Sequence, residues 1–545
     1  MLVIRFIVIL FCISCDNINA EGHSGFSEEK RKPNILFVIS DDQSYPHASV
    51  YGESWVKTPA FDRVAREGVL FTNAFSASPG CSPSRAAILT GMNTWQIEDA
   101  GTHASEFPLD YTVFPDILEE MGYKVGYTGK GWGPGNWEIS GRQRNPAGEA
   151  YQKQELVPPT TAIRSTDYAE NFNDFLTERK DGEPFFFWYG ASEPHRKFEK
   201  GSGLRAGKDL EDVNVPLFLP DHPIVRSDLL DYALEIEWFD YHLAAMLEKL
   251  EEIGELENTI VVVTSDNGMS FPRAKANAYE YGIHVPLAIM WGNKIKGGRI
   301  MDDLVSLIDI APTFLEAAAG SGFANISKEH PMEGKSLMDL LVGNVEGESA
   351  PERKAVFAAR ERHSSSRWNN LTYPQRVIRT EDFLYIRNFK PVRWPAGAPQ
   401  KYEPNETLGP GHGGYHDIDA CPTFDFMLEN RMDPDVRPFF IMAVGKRPAE
   451  EFFDIENDPY CLVNLAEDPD FKDELLEHRG ALGAYLMKTN DPRVTGNGDI
   501  YETYVRYSHI RKFPRPDWLQ KDSLFMAPSN ILKEQKVILK NSPDQ

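Results

Sequence analysis

The sequence predicts an α/β fold: a mixed, mostly parallel sheet sandwiched by helices, followed by a smaller C-terminal α+β subdomain. Three observations carry that expectation. Apolar, β-branched runs alternate with helix-like stretches over residues 30–320. Each run ends in polar residues, and ligands of such sheets bind at the carboxyl ends of the strands. After about residue 325 the texture changes to shorter strand-like pieces and loop-rich sequence.

The elements follow in chain order. Residues 34–40 (NILFVIS) read as a buried strand running into Asp41-Asp42. Residues 59–68 read as a helix, with Thr58 as N-cap and Pro59 at its first position. Residues 113–121 form another helix, stopped by Gly122, and 124–128 a strand ending at Gly129-Lys130-Gly131. The run 184–191 (PFFFWYGA) is a strand ending near His195. The longest helix spans 229–253, with Leu243, Met246, Leu247 and Leu250 on one stripe and Gly254 ending it. Residues 258–265 (NTIVVVTS) are a strand running into Asp266-Asn267-Gly268. Beyond a polar stretch at 325–350, strands are expected at 355–359 and 383–388, then the loop YEPNETLGPGHGGYHDIDACP.

This gives a catalytic domain at 30–345, a smaller subdomain at 350–510 and a C-terminal extension at 511–545. The chain of 545 residues is 41% hydrophobic and 26% charged, ample for sizeable cores. Its formal net charge of −25 argues against a nucleic-acid partner, because phosphate binding needs a basic face. An anionic substrate would need local cations or a metal to hold it. Residues 1–20 read as a secretory signal peptide, with an apolar run too short to span a bilayer. Two endings stay open: cleavage near Ala20, or a lipobox at Cys12-Ile13-Ser14-Cys15 that leaves a lipid on Cys15. The mature chain has no transmembrane segment and is expected to be secreted or periplasmic, or lipid-anchored at the surface. Beyond the leader, Cys81, Cys421 and Cys461 make an odd number, so at least one stays unpaired; Cys421 and Cys461 are the candidates for pairing.

Asp41, Asp42, Asp266 and Asn267 are hard oxygen donors on two separate strand ends. Carboxylates brought together call for a cation, and oxygen-only ligation suits Ca²⁺ or Mg²⁺ rather than zinc. Cys81-Ser82-Pro83-Ser84-Arg85 opens an apparent helix at 86–90, which suggests a nucleophile at an anion-binding helix end with Arg85 gripping the anion.

CSPSRAAILTG fits, position by position, the sulfatase signature C-x-P-S-R-x-x-x-L-T-G, whose Cys is oxidised to Cα-formylglycine. The resemblance continues through NILFVISDD, TPAFDRVAREGVLFTNAF, GYKVGYTGK, EPHR, VVVTSDNG and KANAYEYGIHVPL, and reaches EFFDIENDP. Residues 30–490 thus resemble a type I sulfatase with an alkaline-phosphatase-like fold. The SDNGxxFP and EPHR stretches are most similar to the sulfamidase branch, which includes heparan N-sulfatase and bacterial sulfatases acting on ulvan.

The resemblance implies that Asp41, Asp42, Asp266 and Asn267 bind one Ca²⁺ together with the formylglycine made from Cys81. Arg85 would steady its hydrate, Lys130 and Lys275 would hold sulfate oxygens, and His195 would protonate the leaving oxygen or nitrogen. One hydroxyl of the hydrate attacks sulfur and the other expels sulfate, an exit that a plain Ser or Cys ester lacks. The implied partners are a sulfated polysaccharide or oligosaccharide, such as ulvan or a heparan-like glycan, and a formylglycine-generating or anaerobic sulfatase-maturing enzyme. Trp132, Arg196, His103, His284 and the 400–425 loop are candidates for the sugar subsites. One departure stands out. Where many sulfatases have His shortly after the lysine, as in GKxH, this chain has GKGWGP with Trp132 nearest; His103 is a candidate substitute. Two other readings share these residues: a phosphodiesterase or phosphonate hydrolase of the same superfamily, and an inactive carbohydrate-binding relative.

Overall fold

The computed structural model describes residues 31–343 and 353–519, so the expected leader with Cys15 and most of the C-terminal extension lie outside the described residues. From Pro33 onward the described residues form one compact unit carrying two sheets. The first has nine strands: β1 (Asn34–Ser40), β2 (Val69–Phe75), β3 (Lys124–Gly129), β4 (Glu149–Ala150), β5 (Phe185–Gly190), β6 (Thr259–Ser265), β7 (His284–Met290), β8 (Arg299–Met301) and β9 (Val305–Ser306). Their order is β4-β3-β5-β1-β6-β7-β2-β8, with β9 beside β2. All pairings are parallel except β6 with β7 and β7 with β2, which makes the sheet mixed and mostly parallel as expected.

Strand β1 lies at the centre because it is apolar on both faces. Ile35, Phe37 and Ile39 join one core with Ile88, Leu89 and Phe314, while Leu36 and Val38 join the other with Phe61, Leu243 and Leu247. Helices Cys81–Thr90, Phe114–Glu120 and Ile310–Ala319 cover the first face; Pro59–Glu67, Tyr168–Thr177 and Pro223–Glu252 cover the second. The second sheet is antiparallel: β10 (Val356–Arg360), β11 (Gln375–Arg379), β12 (Phe383–Asn388) and β13 (Glu450–Asp454). Helix Lys472–Lys488 packs Leu475, Leu482 and Leu486 against one of its faces. The backbone N–H of Ala359 donates to Ala77 O at 2.9 Å, which ties this sheet to the loop before Cys81.

Three local expectations are corrected. Helix Pro59–Glu67 has Thr58 at its N-cap position without a side-chain cap; Asp240 instead accepts from the N–H groups of Ala60 (2.9 Å) and Phe61 (2.8 Å). The long helix begins at Pro223, earlier than 229, because its buried Asp228 and Asp231 serve loops and so interrupt the apolar stripe. Cys421 and Cys461 are buried free thiols and do not pair. Among the described residues, no helix is long and apolar enough to cross a membrane.

Candidate active site

Parallel strands β3, β5, β1 and β6 are adjacent and end on one edge of the sheet. That edge delivers Lys130, His195, Asp41-Asp42 and Asp266-Asn267 in turn. One carboxylate oxygen from each of Asp41, Asp42 and Asp266 lies within 4.8 Å of the other two, and all three residues are buried. Asp42 adopts a left-handed φ of 75°, a conformation aspartate tolerates better than most residues. Its N–H donates to Asp266 Oδ1 (3.2 Å), and Asn267 Nδ2 donates to Asp42 Oδ1 (2.8 Å).

Each carboxylate faces a cation. Lys130 Nζ reaches Asp41 Oδ2 at 2.6 Å, Lys275 Nζ reaches Asp42 Oδ2 at 2.6 Å, and Arg85 Nε reaches Asp266 Oδ2 at 2.7 Å. Burial alone would raise Asp41, but Lys130 and His195 outweigh it and hold the carboxyl below its usual range. Asp266 is pushed up to about 6, by burial first and then by Asp41. Asp41 Oδ1 and Asn267 Oδ1 are buried without a hydrogen-bond partner. Clustered carboxylates with spare acceptor oxygens fit a hard, oxygen-liganded cation such as Ca²⁺ or Mg²⁺.

Cys81 is the first residue of helix Cys81–Thr90, after an extended Gly80, so the helix starts earlier than the expected 86. Burial pushes its thiol up to about 11, against the pull of Lys130. Ser76 and Ser84 both donate to Asp266 O, at 2.7 and 2.6 Å, which fixes this helix to the β6 edge. Arg85 also donates from Nη1 to Lys130 O (2.6 Å) and Gly131 O (3.1 Å), while its Nη2 has no partner. One guanidinium therefore braces two strand ends and retains a spare donor.

His195 has a side chain 37% exposed, with Nε2 3.9 Å from Asp42 Oδ2. Its Nδ1 lies 2.6 Å from Arg196 O; a carbonyl only accepts, so Nδ1 carries a hydrogen and Nε2 is the ring nitrogen left facing Asp42. His103 Nε2 lies 3.4 Å from Cys81 Sγ. Burial, reinforced by His363 and Arg506, keeps His103 well below the usual histidine range.

The other three residues named for the sugar subsites, Trp132, Arg196 and His284, have their polar groups engaged within the protein. Trp132 is 3% exposed, packs edge-on against Phe107, and donates from Nε1 to Ser82 O at 3.0 Å, propping the first turn of the Cys81 helix. Arg196 is spent on Asp228 through both terminal nitrogens (2.8 Å each) and on Ser270 O through Nε (2.7 Å). His284 stacks on Tyr45, with Nε2 2.8 Å from Thr72 O and Nδ1 3.2 Å from Glu280 Oε2. In each case the polar atoms a sugar would need are already used.

Three residues were not foreseen. Asp419, in the 400–425 loop, approaches Lys275 Nζ at 3.3 Å with a side chain 30% exposed. Burial opposes its ionisation, but Lys275 and His195 outweigh it. His363 lies 4.7 Å from His103, ring to ring, and Arg506 contacts His103 from the C-terminal segment. All three come from irregular sequence far from the motifs, where no periodicity or spacing marks them.

Comparison with known proteins matches residues 33–321 to the sulfatase family model and residues 274–403 to the model for the C-terminal part of N-sulphoglucosamine sulphohydrolase. An ulvan-active sulfatase of Formosa agariphila is 27% identical, over 90% of this chain and 82% of its own. Human N-sulphoglucosamine sulphohydrolase is 27% identical, over 87% of this chain and 93% of its own. A solved protein in complex with its substrate D-glucosamine-2-N,6-O-disulfate shares the fold, with a TM-score of 0.59 and 20% identity over 84% of this chain and 98% of that one.

Proposed function

Because the chain belongs to the sulfatase family, and so is a sulfuric ester hydrolase, we propose that it removes sulfate from a sulfated polysaccharide or oligosaccharide outside the cytoplasm. The proposed substrates are ulvan or a glucosamine-containing, heparan-like glycan, in line with the names of its relatives. The observation that carries the reading is the meeting of Asp41, Asp42 and Asp266 with Lys130, Lys275 and Cys81 at one strand edge. Asp41, Asp42, Asp266 and Asn267 would hold one Ca²⁺, and Cys81 would be matured to formylglycine by a dedicated enzyme. When present, the cation polarises sulfate oxygens and the aldehyde hydrate supplies the nucleophilic hydroxyl.

The chain's own residues do the rest. Lys130 and Lys275 offer N–H donors beside Asp41 and Asp42, where they offset the charge of a bound sulfate. With Arg85 they answer how a chain of net charge −25 draws in an anion. Arg85 keeps the Cys81 helix and two strand ends at fixed separation. His195, on the exposed side, hands a proton from Nε2 to the departing sugar oxygen or nitrogen.

The test has two parts. Mass spectrometry of the peptide containing residue 81 is expected to show the aldehyde in matured protein. Release of sulfate is then compared across an aryl sulfate, an aryl phosphodiester, ulvan and heparan-type glycans. Sulfate release from a glycan with a silent phosphodiester supports the reading; a faster phosphodiester contradicts it, and an unmodified thiol with no turnover points to an inactive binder.

A further inference from the structure

We propose that His103 serves as a hydrogen-bond donor to residue 81, and that Arg506 of the C-terminal segment fixes it in that role. The inference rests on the reading above only in taking the atom on Cβ of residue 81 as the reacting one.

His103 is held between two partners. Its Nε2 lies 3.4 Å from Cys81 Sγ, and its Nδ1 lies 3.4 Å from Arg506 Nη1. A guanidinium has only N–H groups to offer, and a neutral imidazole has one donor and one acceptor nitrogen. Nδ1 must therefore accept. The ring hydrogen is left on Nε2, the nitrogen that faces residue 81.

The surroundings hold this arrangement. Arg506 Nη1 also donates to His103 O (3.2 Å) and His363 O (3.0 Å), so the same group grips both the ring and the backbone. Next along the chain, Tyr507 N donates to Ala104 O at 2.6 Å, and Ala104 N donates to Ser82 Oγ at 3.1 Å. His103 N in turn donates to Arg362 O at 3.2 Å. The C-terminal segment, the His103 turn and the Cys81 helix are thus linked in series.

The consequence is a division of labour. His195 keeps a hydrogen on Nδ1, against Arg196 O, and works through Nε2, from which it hands a proton to the leaving group. His103 has the opposite tautomer and presents an N–H. A group that already carries the hydrogen stabilises negative charge on its partner instead of removing a proton from it. His103 acts on residue 81 directly; Arg506 is a positioning residue that acts through it.

The experiment uses full-length protein labelled with ¹⁵N-histidine, made with and without the maturing enzyme. Two-bond ¹H–¹⁵N spectra report the tautomer, with the His103 signal assigned by its loss in His103→Gln. The Nε2–H pattern is expected in both preparations, retained in Arg506→Lys and relaxed to a mixture in Arg506→Ala. An Nδ1–H pattern in the wild-type protein overturns the proposal. Kinetics give a second reading. Glutamine can still donate, so His103→Gln should stay within about tenfold of wild type while His103→Ala loses about 10²-fold or more, the usual range for one oxyanion donor. Equal losses in both variants contradict the donor role. Because the spectra are read on the unmatured thiol form as well, a failure of the sulfatase reading shows separately, as no aldehyde and no turnover in wild-type protein.

Discussion

Asp41, Asp42 and Asp266 at the sheet edge and Asp417, which meets Arg360 at the end of β10, are all buried carboxylates facing buried cations, yet the two clusters are built differently. Asp417 Oδ2 accepts from Arg360 Nη2 (2.7 Å) and Arg367 Nη2 (2.6 Å), and its Oδ1 accepts from Ser364 N (2.9 Å). Both oxygens are used, and the unpartnered atoms nearby are donors, Arg360 Nε and Nη1. At the sheet edge three carboxylates share three cations, and the unpartnered atoms include the acceptors Asp41 Oδ1 and Asn267 Oδ1. One carboxylate saturated by two guanidinium groups fastens loops together. Several carboxylates that converge with acceptors to spare are arranged to take a cation. Charge type and burial are alike in the two clusters; what separates them is which side of the hydrogen-bond ledger is short.

The comparison breaks most sharply at Asp41. Asp41→Asn is expected to lower kcat/KM on an aryl sulfate by about 10³-fold or more, while its thermal midpoint without divalent cations stays close to that of wild type, since the oxygen's work is to hold the ion and its charge. A large loss of stability instead would make this cluster structural, like that of Asp417. Removing divalent cations with a chelator should abolish turnover, and Ca²⁺ should restore it. At a Ca²⁺ concentration of 100 times Kd, binding adds about 2.7 kcal/mol to stability. Thermal unfolding with and without Ca²⁺ should show that gain in wild-type protein and not in Asp41→Asn.

Asp417 should respond the other way. Asp417→Asn leaves two buried guanidinium groups short of a counter-charge, and breaking such a pair costs about 3–5 kcal/mol. Chemical denaturation should register that loss, while kcat of the folded fraction stays unchanged. The smallest effect belongs to Trp132→Phe. It removes the indole donor to Ser82 O, worth about 1 kcal/mol, and should leave KM for a glycan unaltered. A markedly raised KM would restore Trp132 to the sugar subsite.

Strands β1, β3, β5 and β6 and the carboxylates that follow β1 and β6 were legible because their signals are local. A short, β-branched apolar run such as NILFVIS suits a strand buried on both faces, and the acidic residues come directly after it. Cys81 and Arg85 were legible because a contiguous motif carries them. Trp132, Arg196 and His284 share a different lesson: residue type reveals hydrogen-bonding capacity but not where it is spent, and here it is spent on Ser82 O, Asp228 and Glu280. Asp419, His363 and Arg506 were missed because chain folding alone brings them in, from loops with no periodic pattern. His103 sits between these cases. The missing histidine after Lys130 raised the question, and only the fold placed the ring beside Cys81.

The central claim is that the carboxyl edge of the sheet collects a cation beside residue 81. Anomalous diffraction from crystals of matured protein grown with Ca²⁺ tests it most directly. The account predicts a single peak about 2.3–2.6 Å from oxygens of Asp41, Asp42, Asp266 and Asn267. A map with no peak there, and with Lys130 and Lys275 still closed on Asp41 and Asp42, would contradict it.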